Sequence, residues 1–307
     1  MSENLDRLYR AAQLYYEQGA TQAEIAHQLQ VSRPSVSRIL AEARAAGIVE
    51  IRVHKPTTGP VDELRRQLID RLSLDAVYIA PGNQSTHLGV ALASGTRQAL
   101  GQANLQPGDV LLIASGETTY ALAQQHLGEF AGIIVAPTVG GQAEPDPWHQ
   151  TNEVVRMFTA TSGGYPHYLF APALPSLALY SALQDDPGYQ IIRKDWSSAK
   201  AALIGVGAPA LSRKSISQSV PRDHPSLARS VGDVCLAFFD QDGTEVTFPG
   251  NDRMTRIPAE TLRSVPTRIA AAAGVNKVRS IAVAARSGWF NILVTDEVTA
   301  RAINEAP

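Results

Sequence analysis

The stretch 21–46, TQAEIAHQLQVSRPSVSRILAEARAA, decides how the front of the chain is read. Thr21 with Glu24 three residues later is a capping box: the hydroxyl accepts from the Glu24 amide and the Glu24 carboxylate reaches back. A helix is expected to start there, with Ala23, Ala26 and Leu29 on its inner face. Ser32 is a second N-cap, and Pro34 falls in the first turn of the next helix, where a missing N–H costs nothing. Val36, Ile39, Leu40 and Ala43 recur at helical spacing as its buried stripe. Gly47 closes it. Two short helices joined by a tight turn, the second tipped with Arg and Ser, form the pattern of a helix-turn-helix. The second helix of such a unit enters the major groove with its N-terminal residues against the base edges. Arg can hold a guanine edge in bidentate fashion, and Ser can contact a base or a phosphate. The expected DNA-facing residues are Gln22, Arg33, Pro34, Ser35, Ser37 and Arg38.

The flanks extend this unit. Leu5 to Tyr16 places Leu5, Leu8, Ala12 and Tyr15 or Tyr16 on one helical face, and Gly19 can end that helix. After Gly47, Ile48 to Val53 (IVEIRV) alternates like a strand or short wing, with Arg44, Arg52 and Lys55 as candidate contacts to the DNA backbone. Residues 1–55 carry seven Lys/Arg and six Asp/Glu, a net charge of +1. One copy therefore grips a polyanion weakly, and a homodimer or homotetramer reading paired half-sites would strengthen it. The competing reading is a three-helix module for protein contact, with Arg33 and Arg38 merely solvated.

His54 to Pro60 (HKPTTGP) is rich in Pro, Gly and Thr and reads as a linker. The expected organisation is a DNA-binding domain at 1–55, a linker at 56–60 and an effector and oligomerisation domain at 61–307. Val61 to Leu72 is an amphipathic helix with Leu64, Leu68 and Leu72 inward. Beyond it short apolar runs alternate with helical ones. Strands are expected at 76–80, 110–114, 133–136, 168–171, 201–206, 234–239, 268–272 and 292–295. Helices are expected at 88–100, 119–126 and 277–285. This is the pattern of an α/β domain with a Rossmann-like parallel sheet covered on both faces. The single cysteine, Cys235, excludes a disulfide framework, and the histidines show no metal spacing. Neither metal nor cofactor is expected. No apolar run approaches the ~20 residues of a membrane span and no signal segment is evident, so a cytoplasmic protein is expected.

Parallel sheets bind ligands beyond the carboxyl ends of their strands. Three turns there stand out: Ser115, Gly116, Glu117, Thr118 and Thr119; then Thr138, Val139, Gly140, Gly141 and Gln142; then Gly205 to Pro209. Hydroxyls and amides at a helix start cradle anions, and glycines admit a ligand close to the backbone. Asn251, Asp252 and Arg253 could bond sugar hydroxyls or cap a turn. Lys277, at a helix start, could meet an anionic ligand or solvent. Each is also readable as ordinary loop chemistry.

Taken together, LYYEQGATQAEIAHQLQVSRPSVSRIL, SGETTY, VGG, ALIGVG, GDVCLAFFDQDG, NDR and NILVTDEVTARA resemble the SorC family of sugar-responsive regulators, in the branch that includes the bacterial deoxyribonucleoside regulator. The resemblance covers nearly the whole chain. It implies an N-terminal DNA-reading unit and an effector domain similar in fold to ribose-5-phosphate isomerase and glucosamine-6-phosphate deaminase. It also implies phosphorylated-sugar effectors, palindromic double-stranded operators, and dimers and tetramers. By position, Thr118 and Thr119 match the family's phosphate-binding hydroxyls, Gly141 and Gln142 the turn beside the phosphate, and Lys277 a phosphate-facing lysine. Two positions depart. Glu117 stands where the family usually has Gly, and a carboxylate there repels a phosphate unless it points away or pairs with Lys277 or Arg253. Val139 stands where the deoxyribonucleoside regulator has a lysine able to condense with its sugar aldehyde, and valine cannot do so.

The expected effector set is Ser115, Gly116, Glu117, Thr118, Thr119, Gly140, Gly141, Gln142, Asp252, Arg253 and Lys277, around a non-covalently bound sugar, polyol or sugar phosphate. The expected function is a non-enzymatic transcriptional regulator, by default a repressor, of a carbohydrate-catabolic operon. The alternative is an isomerase- or deaminase-like enzyme with a DNA-binding domain appended. Glu117, Asp240, Asp252 and Asp296 are its candidate bases by type alone.

Overall fold

The computed structural model describes residues 2–17, 20–49, 59–82, 88–213, 219–221 and 223–306. Gly19, most of the IVEIRV run with Arg52, Lys55, and the linker up to residue 58 lie outside the described residues, as does His87. The chain divides into two compact units, Met1–Thr57 and Thr58–Pro307.

In the first unit, α1 (Ser2–Ala12) runs into a π-helical turn (Gln13–Glu17), followed by α2 (Gln22–Gln28) and α3 (Arg33–Ala45). Leu8, Ala11, Ala12, Leu14, Ile25, Val36, Ile39, Leu40 and Ala43 form its core. Two expectations are corrected here. The wider π turn shifts the helical phase, so Leu14 is buried while Leu5, Tyr15 and Tyr16 are exposed. On α2, Ala23 is exposed and Ile25 is the residue that reaches the core. The capping box is present: Glu24 N donates to Thr21 Oγ1 at 3.3 Å and Thr21 N donates to Glu24 Oε2 at 2.8 Å. α2 ends with Gln30 in the left-handed region (φ 52°), Gln30 N donating to His27 O and Val31 N to Ala26 O. This paired closure turns the chain sharply into α3. Gly47 (φ 73°) closes α3 in the same way, with Gly47 N donating to Arg44 O and Ile48 N to Ala43 O.

The second unit begins with α4 (Pro60–Leu72), β1 (Ala76–Ala80), α5 (Leu88–Gln102), β2 (Val110–Ile113), α6 (Glu117–Ala123) and β3 (Ile134–Pro137). It continues with α7 (Thr151–Ser162), β4 (Tyr165–Pro166), α8 (Leu177–Leu183), α9 (Pro187–Ser198) and β5 (Ala201–Ile204). After a hairpin of β6 (Gly232–Val234) and β7 (Ala237–Phe239) come α10 (Ala259–Ser264), β8 (Thr267–Ala271), α11 (Val278–Arg286), β9 (Ile292–Asp296) and α12 (Glu297–Glu305). Seven strands form one parallel sheet in the order β1-β9-β8-β5-β2-β3-β4.

Both faces of that sheet are covered, which is why its strands read as unbroken apolar runs. Val110, Leu112 and Ala114 point into a core shared with α4, α9, α10, α11 and α12. Leu111 and Ile113 point the other way, into a core shared with α5, α6 and α7. A third cluster around Val139, Leu227, Phe238, Val246 and Phe248 supports the loops beyond the strand ends.

Two expected strands are corrected. Residues 168–171 are not a strand: the edge strand lies earlier, at Tyr165–Pro166, and Pro166 has no N–H to extend its ladder. The Asn152 side chain takes the place of a strand partner, accepting from Leu169 N at 2.9 Å and donating to Leu169 O at 3.1 Å. Residues 234–239 are two antiparallel strands joined at Cys235 (φ 51°) and Leu236 (φ 60°). Asp233 Oδ2 accepts from Leu236 N at 3.0 Å and closes this turn without the usual Asn-Gly pair.

Ile25 is 0% exposed in a unit with few core residues. Replacing it with Ala is expected to destabilise that unit by about 2–5 kcal/mol. Chemical denaturation followed by circular dichroism checks this, and an unchanged first transition would contradict the assigned core.

Candidate functional site

The strand order fixes where a ligand can enter. From β2 the chain moves outward through β3 to β4, then returns to β5 and moves the opposite way through β8 to β9. Chains leaving β2 and β5 therefore diverge, and it is at the carboxyl ends of such a strand pair that parallel sheets form a ligand crevice. Ser115–Thr119 follow β2 and Gly205–Gly207 follow β5, so two of the three turns singled out from the sequence flank this reversal. The third, at 138–142, follows the adjacent β3.

The turns are built tightly. Gln142 Nε2 donates to Ser115 Oγ at 3.0 Å, joining the loop after β3 to the loop after β2. Gln150 Nε2 in turn donates to Gln142 O at 3.1 Å. Gly116 N donates to Trp148 O at 2.8 Å, and Thr119 Oγ1 donates to Gly116 O at 3.0 Å. Thr118 and Thr119 are buried at 6% and 0% exposure, whereas Glu117 is exposed. The hydroxyl pair thus sits inside the fold at the start of α6 while the carboxylate stands out from it.

Gly140 N donates to Thr255 O, and Gly141 pairs with the 171–173 segment. A Cβ on Gly140 would lie 2.6 Å from Ala171 O and closer still to Thr255 Oγ1. Only glycine fits where two backbones approach in this way. Val139 is 0% exposed and packs in the third apolar cluster.

Lys277 ends the 3-10 turn Val275–Lys277 that follows β8. Its side chain is partly shielded, and its pKa is lowered: burial is the larger cause, the Arg213 guanidinium adds to it, and the Glu117 carboxylate opposes it. Glu117 therefore lies close enough to favour the lysine's charge. Arg213 is a further residue of this neighbourhood that the sequence reading missed. It pairs with Asp233, its Nε donates to Ala208 O at 2.8 Å, and it lies over the Phe238 ring with 5.8 Å to the centroid. Burial pushes its pKa down to about 10. Arg213 sits in the polar run LSRKSISQS, with no motif or period to single it out. Asp233 could have been found within GDVCLAFF only if its turn had been recognised.

The structure thus brings Glu117 and Lys277 together with Arg213 and Asp233, and ties Ser115 to Gln142. Asp252 stands elsewhere, lining a different cleft with Tyr180, Arg193 and Arg256. Arg253 donates to Pro175 O. Two side-chain cations, Lys277 and Arg213, are thus held near one another under partial burial, with the Asp233 carboxylate paired to Arg213 and Glu117 acting on Lys277. Among the described residues no group of His, Cys, Asp and Glu could hold a metal ion, and no helix is long and apolar enough to cross a membrane.

In the first unit, Arg33, Pro34, Ser37 and Arg38 are exposed on the first turns of α3, and Gln22 is half-buried at the start of α2. Ser35 is engaged locally: its amide donates to Ser32 Oγ at 3.3 Å and the two hydroxyls lie 2.8 Å apart. It acts first in the cap, which leaves Arg33, Ser37 and Arg38 as the free polar tip.

Comparison with known proteins agrees with both halves. The Sugar-bind family of sugar-binding domains matches residues 58–304, and sigma-70 region 4 matches residues 12–46. The transcriptional regulator LsrR of Escherichia coli K12 is 28% identical, over 97% of this chain and 94% of its own length. The sorbitol operon regulator of Klebsiella pneumoniae is 27% identical, over 97% and 98%. The crystal structure of the full-length sorbitol operon regulator SorC from Klebsiella pneumoniae superposes with a TM-score of 0.72 at 26% identity, over 99% of this chain and 100% of that one.

The lowered Lys277 pKa has a consequence for stability. In the ligand-free protein the charged lysine is disfavoured by folding at every pH below its folded pKa, and the penalty fades as pH rises through the alkaline range towards the ordinary lysine value. Lys277→Met is therefore expected to raise the thermal midpoint at neutral pH, with the gain shrinking as pH rises. Scanning calorimetry across pH checks this, and a lower midpoint at neutral pH would contradict it.

Proposed function

The chain belongs to the SorC family of sugar-binding transcriptional regulators, and from that premise we propose that it is a DNA-binding regulator of a carbohydrate-catabolic operon, switched by a sugar, polyol or sugar phosphate. The observation that carries this reading is one chain holding both a helix-turn-helix with an exposed Arg33, Ser37 and Arg38 tip and a strand-reversal crevice bordered by Lys277 and Arg213. The first suits a major groove and the second suits an anionic ligand.

In this reading α3 reads the operator, and Gln22, Pro34 and Ser35 support its approach. The effector sits among Ser115, Gly116, Thr118, Thr119, Gly140, Gly141 and Gln142. Lys277 and Arg213 face its phosphate, with Glu117 at the rim. The carboxylate of Glu117 partly neutralises Lys277, which narrows the preference for phosphate over an uncharged sugar. Val139, buried away in an apolar cluster, offers no amine, so binding is non-covalent. The near-neutral reading head makes homodimers or homotetramers the working form, each copy adding a half-site. Repression relieved by the effector is the default sense of the switch, and the cytoplasm, where operators lie, is its place of action.

The same reading makes the crevice non-catalytic. Among the candidate bases, Asp240 accepts from the Asp242 and Thr244 amides at 3.0 and 3.1 Å, and Asp296 caps α12 by accepting from Thr299 N at 2.8 Å. Both carboxylates serve turns.

Arg38→Ala is expected to weaken binding to operator DNA by about 1–3 kcal/mol, roughly five- to 150-fold, while leaving sugar-phosphate binding intact. Electrophoretic mobility shift with operator DNA selected in vitro by the parent protein checks this, and unchanged affinity would remove α3 as the reading element. Thr118→Val is expected to weaken sugar-phosphate binding by about tenfold in calorimetry, with DNA affinity in the absence of effector preserved. Equal sugar-phosphate affinity in variant and parent would show the cradle to be misplaced.

A further inference from the structure

A second cleft, of about 510 Å³, opens between α8, α9, the turn Asn251–Arg253 and α10. That volume falls in the range of small-molecule sites. None of residues 115–119, 140–142 or Lys277 lines it. Its wall holds Tyr180, Arg193, Glu245, Asn251, Asp252 and Arg256.

The chemistry of this wall differs from that of the crevice. Glu245 Oε1 accepts from Asn251 Nδ2 at 3.1 Å and also from the Arg256 guanidinium. This fixes the Asn251 amide with its oxygen turned away from Glu245. Asn251 Oδ1 and Arg256 Nε are both buried, and neither has a hydrogen-bond partner among the described residues. One unmet acceptor and one unmet donor therefore sit on two side chains that share Glu245 Oε1, each at a cost in free energy. A hydroxyl both donates and accepts at a single oxygen and so suits a wall with unmet groups of both kinds; a phosphate oxygen chiefly accepts. The lining carries the cations Arg193 and Arg256 against the carboxylates Glu245, Asp252 and Glu260. An anion gains nothing there, and an uncharged ligand is favoured. Exposed Asp252 and half-buried Tyr180 supply further acceptor and ring surface.

The cleft is also wired to the turn after β3. Gly140 N donates to Thr255 O at 2.7 Å, Ile257 N donates to Thr138 O at 2.8 Å, and Val139 bridges Arg256 between them. The backbone that carries Arg256 is thus zipped to the backbone that carries Gly140, Gly141 and Gln142.

We propose that this cleft is a second binding site, for an uncharged, hydroxyl-rich small molecule, and that its occupancy is transmitted along this ladder to the Gly140–Gln142 turn. The transmission rests on the reading of the crevice as the effector site; the binding does not.

Calorimetric titration of the full chain with sorbitol, xylitol and glucose tests the site. At least one of them is expected to bind, about tenfold more weakly to Asp252→Ala and to Tyr180→Ala, and with parental affinity to Lys277→Ala. Both wall residues are at least partly exposed, so their truncation leaves the fold in place. No binding by any of the three, or binding lost in Lys277→Ala and kept in Asp252→Ala, overturns the proposal. Glucose 6-phosphate titrated into the same variants reports on the crevice separately. Binding that weakens in Lys277→Ala and is kept in Asp252→Ala places it in the crevice, and whether or not it binds, the sorbitol, xylitol and glucose result decides the second site.

Discussion

The structure depends on the reversal of strand order between β2 and β5. A parallel sheet must be covered on both faces, and each crossover must return its chain to the same end of the sheet. Once β3 and β4 are laid on one side of β2, and β8 and β9 on the far side of β5, the loops leaving the central pair diverge. The crevice follows from topology before any side chain is considered. The loops that border it are then drawn together by specific contacts: Gln142 on Ser115, Gly116 on Trp148, and the 254–257 segment on 138–140.

Electrostatics give that crevice its character. Burial disfavours the charge on both Lys277 and Arg213; the Arg213 guanidinium disfavours it further on Lys277, while Glu117 favours the lysine's charge and Asp233 pairs with Arg213. The DNA-reading unit shows the opposite economy of charge. Its net charge is small, its serine hydroxyls are partly spent on capping, and its free polar tip is short. If copies pair as proposed, affinity for DNA depends on how they are paired, which gives a ligand in the large unit a way to alter it.

Much of this was legible in the sequence, because the signals were local. Thr21 with Glu24, Ser32 with Pro34, and Gly47 mark helix ends by chemistry that acts within four residues, and the structure has them in those roles. Continuous apolar runs gave the parallel strands for the same reason. What escaped depended on distant partners or unusual backbone. Ile25 was passed over because a seven-residue helix shows too little of its period, and the π turn at Gln13–Glu17 moved Leu14 inward and Tyr15 outward. The hairpin at Cys235 and Leu236 carries no turn residues, only the Asp233 carboxylate that closes it. Arg213 reached the crevice through a loop with no pattern at all. Asp252, expected beside the glycine turns, lines the cleft formed with α9 and α10 instead.

The central claim is that ligand binding in the crevice changes the grip on DNA. It is tested most directly by measuring the affinity of the full chain for its operator with and without saturating sugar phosphate, across a panel of pentose and hexose phosphates. At least one member is predicted to shift operator affinity by about five- to 150-fold. Identical operator affinity with a sugar phosphate shown to be bound would contradict the account.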